Sequence, residues 1–149
     1  MKITGVGPKL AILTLLYLAI TIVIDILVNP LFKMTALHYT TLLVVGIILL
    51  IIGAVLIVIS AKKLTRSFNS SVLMKDGLYK IFRNPIYAMY LIFIIPGVSL
   101  LLNSWLVLTT VIINYIFLEI FIKAEYKYLE EKFGEEYRDY LKQVWFKFL

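Results

Sequence analysis

Runs of about twenty consecutive apolar residues constrain this chain more than any other feature, because each helical residue rises about 1.5 Å and such a run covers a hydrocarbon core about 30 Å thick. The first run covers residues 10–28 and closes at Asn29-Pro30, where proline cannot continue a helix without losing a hydrogen bond. The second covers 39–60. From 86 to 122 the chain stays apolar for too long to be one span, and Asn103-Ser104 interrupts it. This reads as a tight helical hairpin, 86–102 and 105–122, with each arm near the lower limit of about 17 residues for crossing. The expectation is an all-α membrane protein: one membrane-embedded domain over 1–149 with four transmembrane helices. Composition agrees, with 62% hydrophobic and 16% charged residues where a soluble domain carries roughly 45–50% and 25%. Lys2 and Lys9 ahead of the first run raise a signal peptide as the competing reading, but the run is too long, contains Asp25 and lacks a small-residue cleavage site.

Charge orients the spans. Residues 61–85 hold Lys62, Lys63, Arg66, Lys75, Lys80 and Arg83 against the single acid Asp76, while the other two connections offer only Lys33. Lysine- and arginine-rich loops face the cytoplasm, which puts the central loop and both termini there. The net charge of +6 is read as cytoplasmic loops and contact with anionic lipid headgroups, not as a nucleic-acid surface. The absence of cysteine removes disulfides and a thiolate nucleophile, and with His38 as the sole histidine a transition-metal centre has too few ligands. After Ile122 the composition turns abruptly polar. Tyr126, Leu129, Phe133, Tyr137, Tyr140 or Leu141, Val144 and Phe148 form an apolar stripe, so 123–148 is expected to be a cytoplasmic-side amphipathic helix, or two if Gly134 breaks it. It should lie along the interface with its rings at headgroup depth. Gly46, Gly53 and Ser60 share one face of the second span and allow close approach of another helix, within the fold or in a dimer, and the oligomeric state stays open. Pro96-Gly97 predicts a kink in the third span and a cavity beside it.

Asp25 is a carboxylate inside a span, which marks it as a candidate ion-coupling residue, although one turn from the interface it can also simply reach water. Glu119 and Lys123, one turn apart, can pair with each other. A denser cluster is Gly77-Leu78-Tyr79-Lys80-Ile81-Phe82-Arg83-Asn84-Pro85-Ile86-Tyr87, where the basic loop runs into the third span. Taken alone, Arg83 there reads as a positive-inside anchor, and Tyr79 and Tyr87 as interfacial aromatics. The stretch nevertheless resembles the Gly-Pro-Tyr-Arg-x-x-Arg-His-Pro-x-Tyr signature of the isoprenylcysteine carboxyl methyltransferase and phospholipid methyltransferase family. A second pattern of that family, Glu-Glu-x-x-Leu-x-x-x-Phe-Gly-x-Glu-Tyr-x-x-Tyr, is met downstream by Glu125, Leu129, Phe133, Gly134, Glu136, Tyr137 and Tyr140. Together the two cover about half the chain, roughly 72–144.

The resemblance implies a methyltransferase that uses S-adenosyl-L-methionine and acts on a lipophilic or small acceptor, such as a prenylcysteine carboxylate or a phospholipid amine, at the cytoplasmic face. It implies Arg83 and Glu125 as catalytic residues, with Tyr79, Arg83, Asn84, Pro85, Tyr87, Glu125 and Leu129 around the cofactor. Leu78, Lys80, Asn84 and Tyr126 depart from the pattern. Phe121 stands where many members carry an arginine, leaving Lys123 as the nearest substitute. Two other readings are a four-span proton-coupled transporter subunit built on Asp25 and a non-catalytic membrane scaffold.

Overall fold

The computed structural model describes residues 6–70 and 72–147, so Lys2 and Phe148 of the sequence argument lie outside it. Every regular element among the described residues is helical: α1 (Val6–Leu27), α2 (Tyr39–Ser70), the single turn α3 (Leu78–Ile81), α4 (Pro85–Leu101), α5 (Trp105–Phe121) and α6 (Lys123–Gln143). Two of these, α1 and α2, are long and apolar enough to cross a membrane; α5 continued into α6 across a 43° bend makes a third, and α4 is apolar but shorter. Their outward faces carry exposed apolar side chains along their length, including Leu15, Ile26, Ile51, Val55 and Ile112. So much contiguous apolar surface is incompatible with water as the solvent, and the chain is an integral membrane protein.

Helix α2 does not stop at Ser60. No proline or glycine intervenes between Gly53 and Gly77, and Ala61, Lys62, Lys63, Leu64 and Arg66 are good helix formers, so the helix carries on to Ser70 and the basic stretch expected as loop is partly helical. Its small-residue face is used within the fold. A β-carbon at Gly53 would sit 2.7 Å from Phe93 Cβ and 2.9 Å from Ile94, and one at Gly46 would sit 3.0 Å from the Gly97 carbonyl. Gly97 in turn faces Leu50 at 2.9 Å. On this side α2 packs directly against Gly97. Pro96 is accommodated by a widened π turn at Tyr90–Ile94, which absorbs the missing N–H and the ring's clash with the carbonyl four residues back.

At one end of the bundle, the connection at 28–38 locks onto the α4–α5 turn. Lys33 Nζ donates to Asp25 Oδ2 at 2.9 Å and Ser104 Oγ to Asp25 Oδ1 at 2.7 Å. Trp105 N donates to the Phe32 carbonyl at 2.9 Å, and Asn103, at a positive φ of 51°, takes the Met34 N–H on its Oδ1. Deeper in the bundle, Thr14 on α1 meets Asn114 on α5, and Tyr17 meets Thr109 at 2.9 Å, polar contacts that fasten helices lacking a hydrophobic reason to associate in lipid. Glu119 and Lys123 form no ion pair among the described residues.

The C-terminal segment departs from a single helix over 123–148. Gly134 takes φ 51°, ψ −123° and breaks α6, and the helix ends at Gln143 because Val144 is extended. The stripe also turns inward: Tyr137, Tyr140 and Val144 are buried with Leu73, and Leu129, Phe133 and Leu141 pack against them. Rings expected at headgroup depth thus cover the protein.

Substituting Gly53 by leucine forces Phe93 and Ile94 apart and is expected to cost about 1–3 kcal/mol. Thermal unfolding in detergent checks this, with Val55→Leu on the exposed face leaving the midpoint in place.

Candidate active site

The residues that precede α4 are fixed one by one. Gly77 starts α3 at φ 62°, a conformation favouring glycine. Lys63 on α2 pairs with Asp76 at 2.5 Å, and that contact holds the Asp76 carboxyl below the usual range. Asn84 stays out of the helical region that a following proline disfavours, at φ −128°, ψ 72°, and Pro85 fills the first helical position, where its missing N–H costs nothing. The chain beyond α6 then closes on this segment: Phe146 N donates to the Ile81 carbonyl at 2.8 Å, Arg83 N donates to the Phe146 carbonyl at 3.1 Å, and the rings of Phe82 and Phe146 stack at 5.2 Å. Tyr140 donates its hydroxyl to the Tyr79 carbonyl at 2.7 Å, while the Tyr79 hydroxyl reaches the Ser60 carbonyl on α2 at 3.3 Å.

Between these elements lies a cavity of about 270 Å³. Tyr79, Arg83, Asn84, Pro85, Tyr87, Glu125 and Leu129 all line it. Asp25 does not: it sits some 18 residues along α1 from Gly7 on the cavity wall, roughly 27 Å away at the helical rise, with both carboxylate oxygens engaged. Phe121, at the position of the missing arginine, stacks on Phe117 in the apolar core, and Lys123, the substitute considered from sequence, is exposed and outside the lining.

Arg83 is held by tyrosines. Its Nε and Nη2 donate to the Tyr137 hydroxyl at 3.0 and 2.6 Å, and its guanidinium carbon lies 3.2 Å from the centre of the Tyr126 ring. Asn84 Nδ2 donates to the Tyr126 hydroxyl, so the residue replacing the pattern's histidine orients the one replacing its second glutamate. Burial raises the phenol pKa values of Tyr126 and Tyr137, only partly countered by Arg83, and both stay neutral. The Glu125 carboxylate has no hydrogen-bond or ion-pair partner among the described residues. Burial pushes its carboxyl above the usual glutamate range, and its charge helps raise Tyr79, whose own burial is the larger cause.

Sequence reasoning left Tyr128 and Lys132 out of the site, yet both line the cavity with Leu129. The signal was present: positions 125, 128, 129 and 132 follow the three- and four-residue steps of one helix face. Gly7 and Leu64 line the cavity from α1 and α2, and nothing in the local sequence marks them.

The phospholipid methyltransferase family profile matches residues 41–136, well over half of the chain. The chain belongs to that methyltransferase family. The match begins inside α2, further upstream than the two motifs alone reach, and ends just before Tyr137. No curated protein and no solved structure matches it.

The raised carboxyl sets a pH dependence. Glu125 binds its proton more tightly folded than unfolded, so its contribution is most favourable below the ordinary value of 4.5 and is lost as pH rises through the folded value. Glu125→Gln should therefore raise the thermal midpoint of the unliganded protein at pH 7 and leave it unchanged near pH 4, as read by unfolding scans across that interval.

Proposed function

We propose that this chain is a membrane methyltransferase that uses S-adenosyl-L-methionine and transfers a methyl group to a lipophilic or small acceptor at the cytoplasmic face. The observation that carries this reading is that Arg83 and Glu125, opposite in charge and unpaired with each other, line one cavity of a chain in this family. The residues present fit the cofactor. Glu125 offers an uncommitted carboxylate for its ammonium or sulfonium charge, Arg83 keeps Nη1 free for its carboxylate, and Tyr79, Tyr87, Tyr128 and Phe133 offer aromatic walls for its base.

When bound, the cofactor supplies a methyl group on a sulfonium that already carries its leaving group. What remains for the protein is alignment and exclusion of water. Arg83, braced by Tyr137, would fix one end of the ligand. Glu125 would bind the positive charge and, for an amine acceptor, take the proton that leaves, a role its raised pKa suits. Tyr79, Asn84, Pro85, Tyr87 and Leu129 would complete the wall.

The same reading includes four crossings. With α4 and α5 as short spans near the crossing limit, the connection bearing Asp25's partner Lys33 lies outside, and the cavity and both termini lie on the cytoplasmic side, where a polar cofactor arrives. Membrane lipids surround the bundle.

Calorimetric titration with S-adenosylhomocysteine tests the site: saturable binding is expected, lost by at least about tenfold in Arg83→Ala and in Glu125→Ala. Binding indifferent to both changes would refute the assignment. Orientation has its own test, because a chain without cysteine accepts a single reporter thiol. An impermeant maleimide should label Leu37→Cys only from the outer side and Lys127→Cys only from the inner; labelling of both from one side rejects the topology.

A further inference from the structure

Beyond α6 the chain turns its largest side chain outward. Val144 is buried, but Trp145 is 74% exposed and Phe146 46%, although one face of Phe146 is covered by Phe82. The backbone under them is fixed: Trp145 N donates to the Lys80 carbonyl at 3.4 Å, beside the Phe146–Ile81 and Arg83–Phe146 bonds. The indole thus stands on the residues that lead into α4, whose apolar run opens at Ile86. A position a few residues outside an apolar span lies at the depth of the lipid headgroups, where tryptophan is enriched in membrane proteins. Lys80 and Lys147 adjoin it; both are exposed, and neither forms an ion pair among the described residues. No acid occurs at 77–83 or 144–149, and Asp139 on α6 is paired with Lys142. An exposed indole beside two unpaired cations is complementary to a surface that is apolar within and anionic without.

We infer that Trp145, Lys80 and Lys147 form a docking surface for anionic lipid of the leaflet at the cavity end, and that this contact clamps the residues leading into α4. The indole and the outer face of Phe146 enter the headgroup layer, while the two ammonium groups meet lipid phosphates. Three main-chain bonds and one ring stack join 144–146 to 80–83. A surface that binds only the docked form stabilises that form by mass action, so lipid charge controls how firmly the cavity wall at 79–85 is held. The partner is the bilayer itself and not a methyl acceptor, and the inference is independent of what the cavity binds.

The chain has two tryptophans, so Trp105→Phe leaves Trp145 as the single reporter. The full chain is reconstituted in phosphatidylcholine vesicles with and without phosphatidylglycerol. Trp145 is expected to be quenched by lipids brominated near the headgroup and shielded from aqueous acrylamide, more strongly where phosphatidylglycerol is present. Amide hydrogen exchange across 78–86, read by mass spectrometry, is expected to slow at least about threefold with phosphatidylglycerol. That slowing should vanish in Lys80→Gln/Lys147→Gln and persist in Lys9→Gln/Lys62→Gln, which removes the same charge elsewhere at this end of the bundle. Full acrylamide access to Trp145 in both vesicles overturns the lipid contact. Exchange across 78–86 indifferent to phosphatidylglycerol overturns the clamp, and equal slowing in the two double variants overturns the assignment of the lysines.

Discussion

The site depends on a short backbone contact between the residues leading into α4 and the residues following α6. Ile81, Arg83 and Phe146 exchange main-chain hydrogen bonds, and Phe82 stacks on Phe146. Backbone groups at the start of a helix have no intrahelical partner, and in a site screened from water an unpaired one costs about as much as a lost hydrogen bond. The chain end supplies that partner for the Arg83 N–H, so the arginine projects from a fixed point. Tyr140 repeats the device one step earlier by donating to the Tyr79 carbonyl. Two motifs separated by a helical hairpin thus act as one rigid wall. Gly134 makes this possible: its positive φ turns the second half of α6 back over the first motif.

The two ends of the bundle use their charged residues differently. Around Asp25, lysine, serine and asparagine side chains satisfy one another and join two connections. Around the cavity, by contrast, the Glu125 carboxylate has no partner among the described residues and the Arg83 guanidinium is held by neutral tyrosines. Between them, the α2–α4 contact is made by glycines against apolar side chains and the Gly97 backbone, which gives the close van der Waals approach that association in lipid relies on. At the cavity end the Glu125 carboxylate and the Arg83 guanidinium are left without an ion pair among the described residues, where a ligand can meet them.

Much of this was legible in the sequence. Asn103-Ser104 located the hairpin turn to within a residue, the seven-residue recurrence of Gly46, Gly53 and Ser60 identified the contact face of α2, and the two motifs named every residue expected around the cavity. What escaped has a common cause. Apolar periodicity reports the contrast between a helix's faces and says nothing about what the apolar face touches, so the stripe of Tyr137, Tyr140 and Val144 read equally well as lipid-facing or protein-facing. The extension of α2 through a basic stretch was hidden because charge composition marks a membrane boundary and not a helix end. Gly7 and Leu64 reach the cavity only through tertiary placement. Tyr126 looked like a loss against the pattern, and only its ring under Arg83 gives it meaning.

The remaining question is why Arg83 and Glu125 do not collapse onto each other. At an effective dielectric of about 20, a pair of unit charges about 4 Å apart gains about 4 kcal/mol before desolvation, which would fill and neutralise the cavity. Against this, Arg83 makes two hydrogen bonds to Tyr137, each worth about 1.5–3 kcal/mol for a charged donor, and a cation–π contact with Tyr126 worth about 0.5–2 kcal/mol. Those contacts match or exceed the pairing energy and do not require Glu125 to leave its helix face. The tyrosines thus hold the arginine where it is, and the carboxylate keeps a raised pKa in place of a partner. Two opposite charges held apart in one hollow are complementary to a ligand that carries both, and that separation is what the fold at this end maintains.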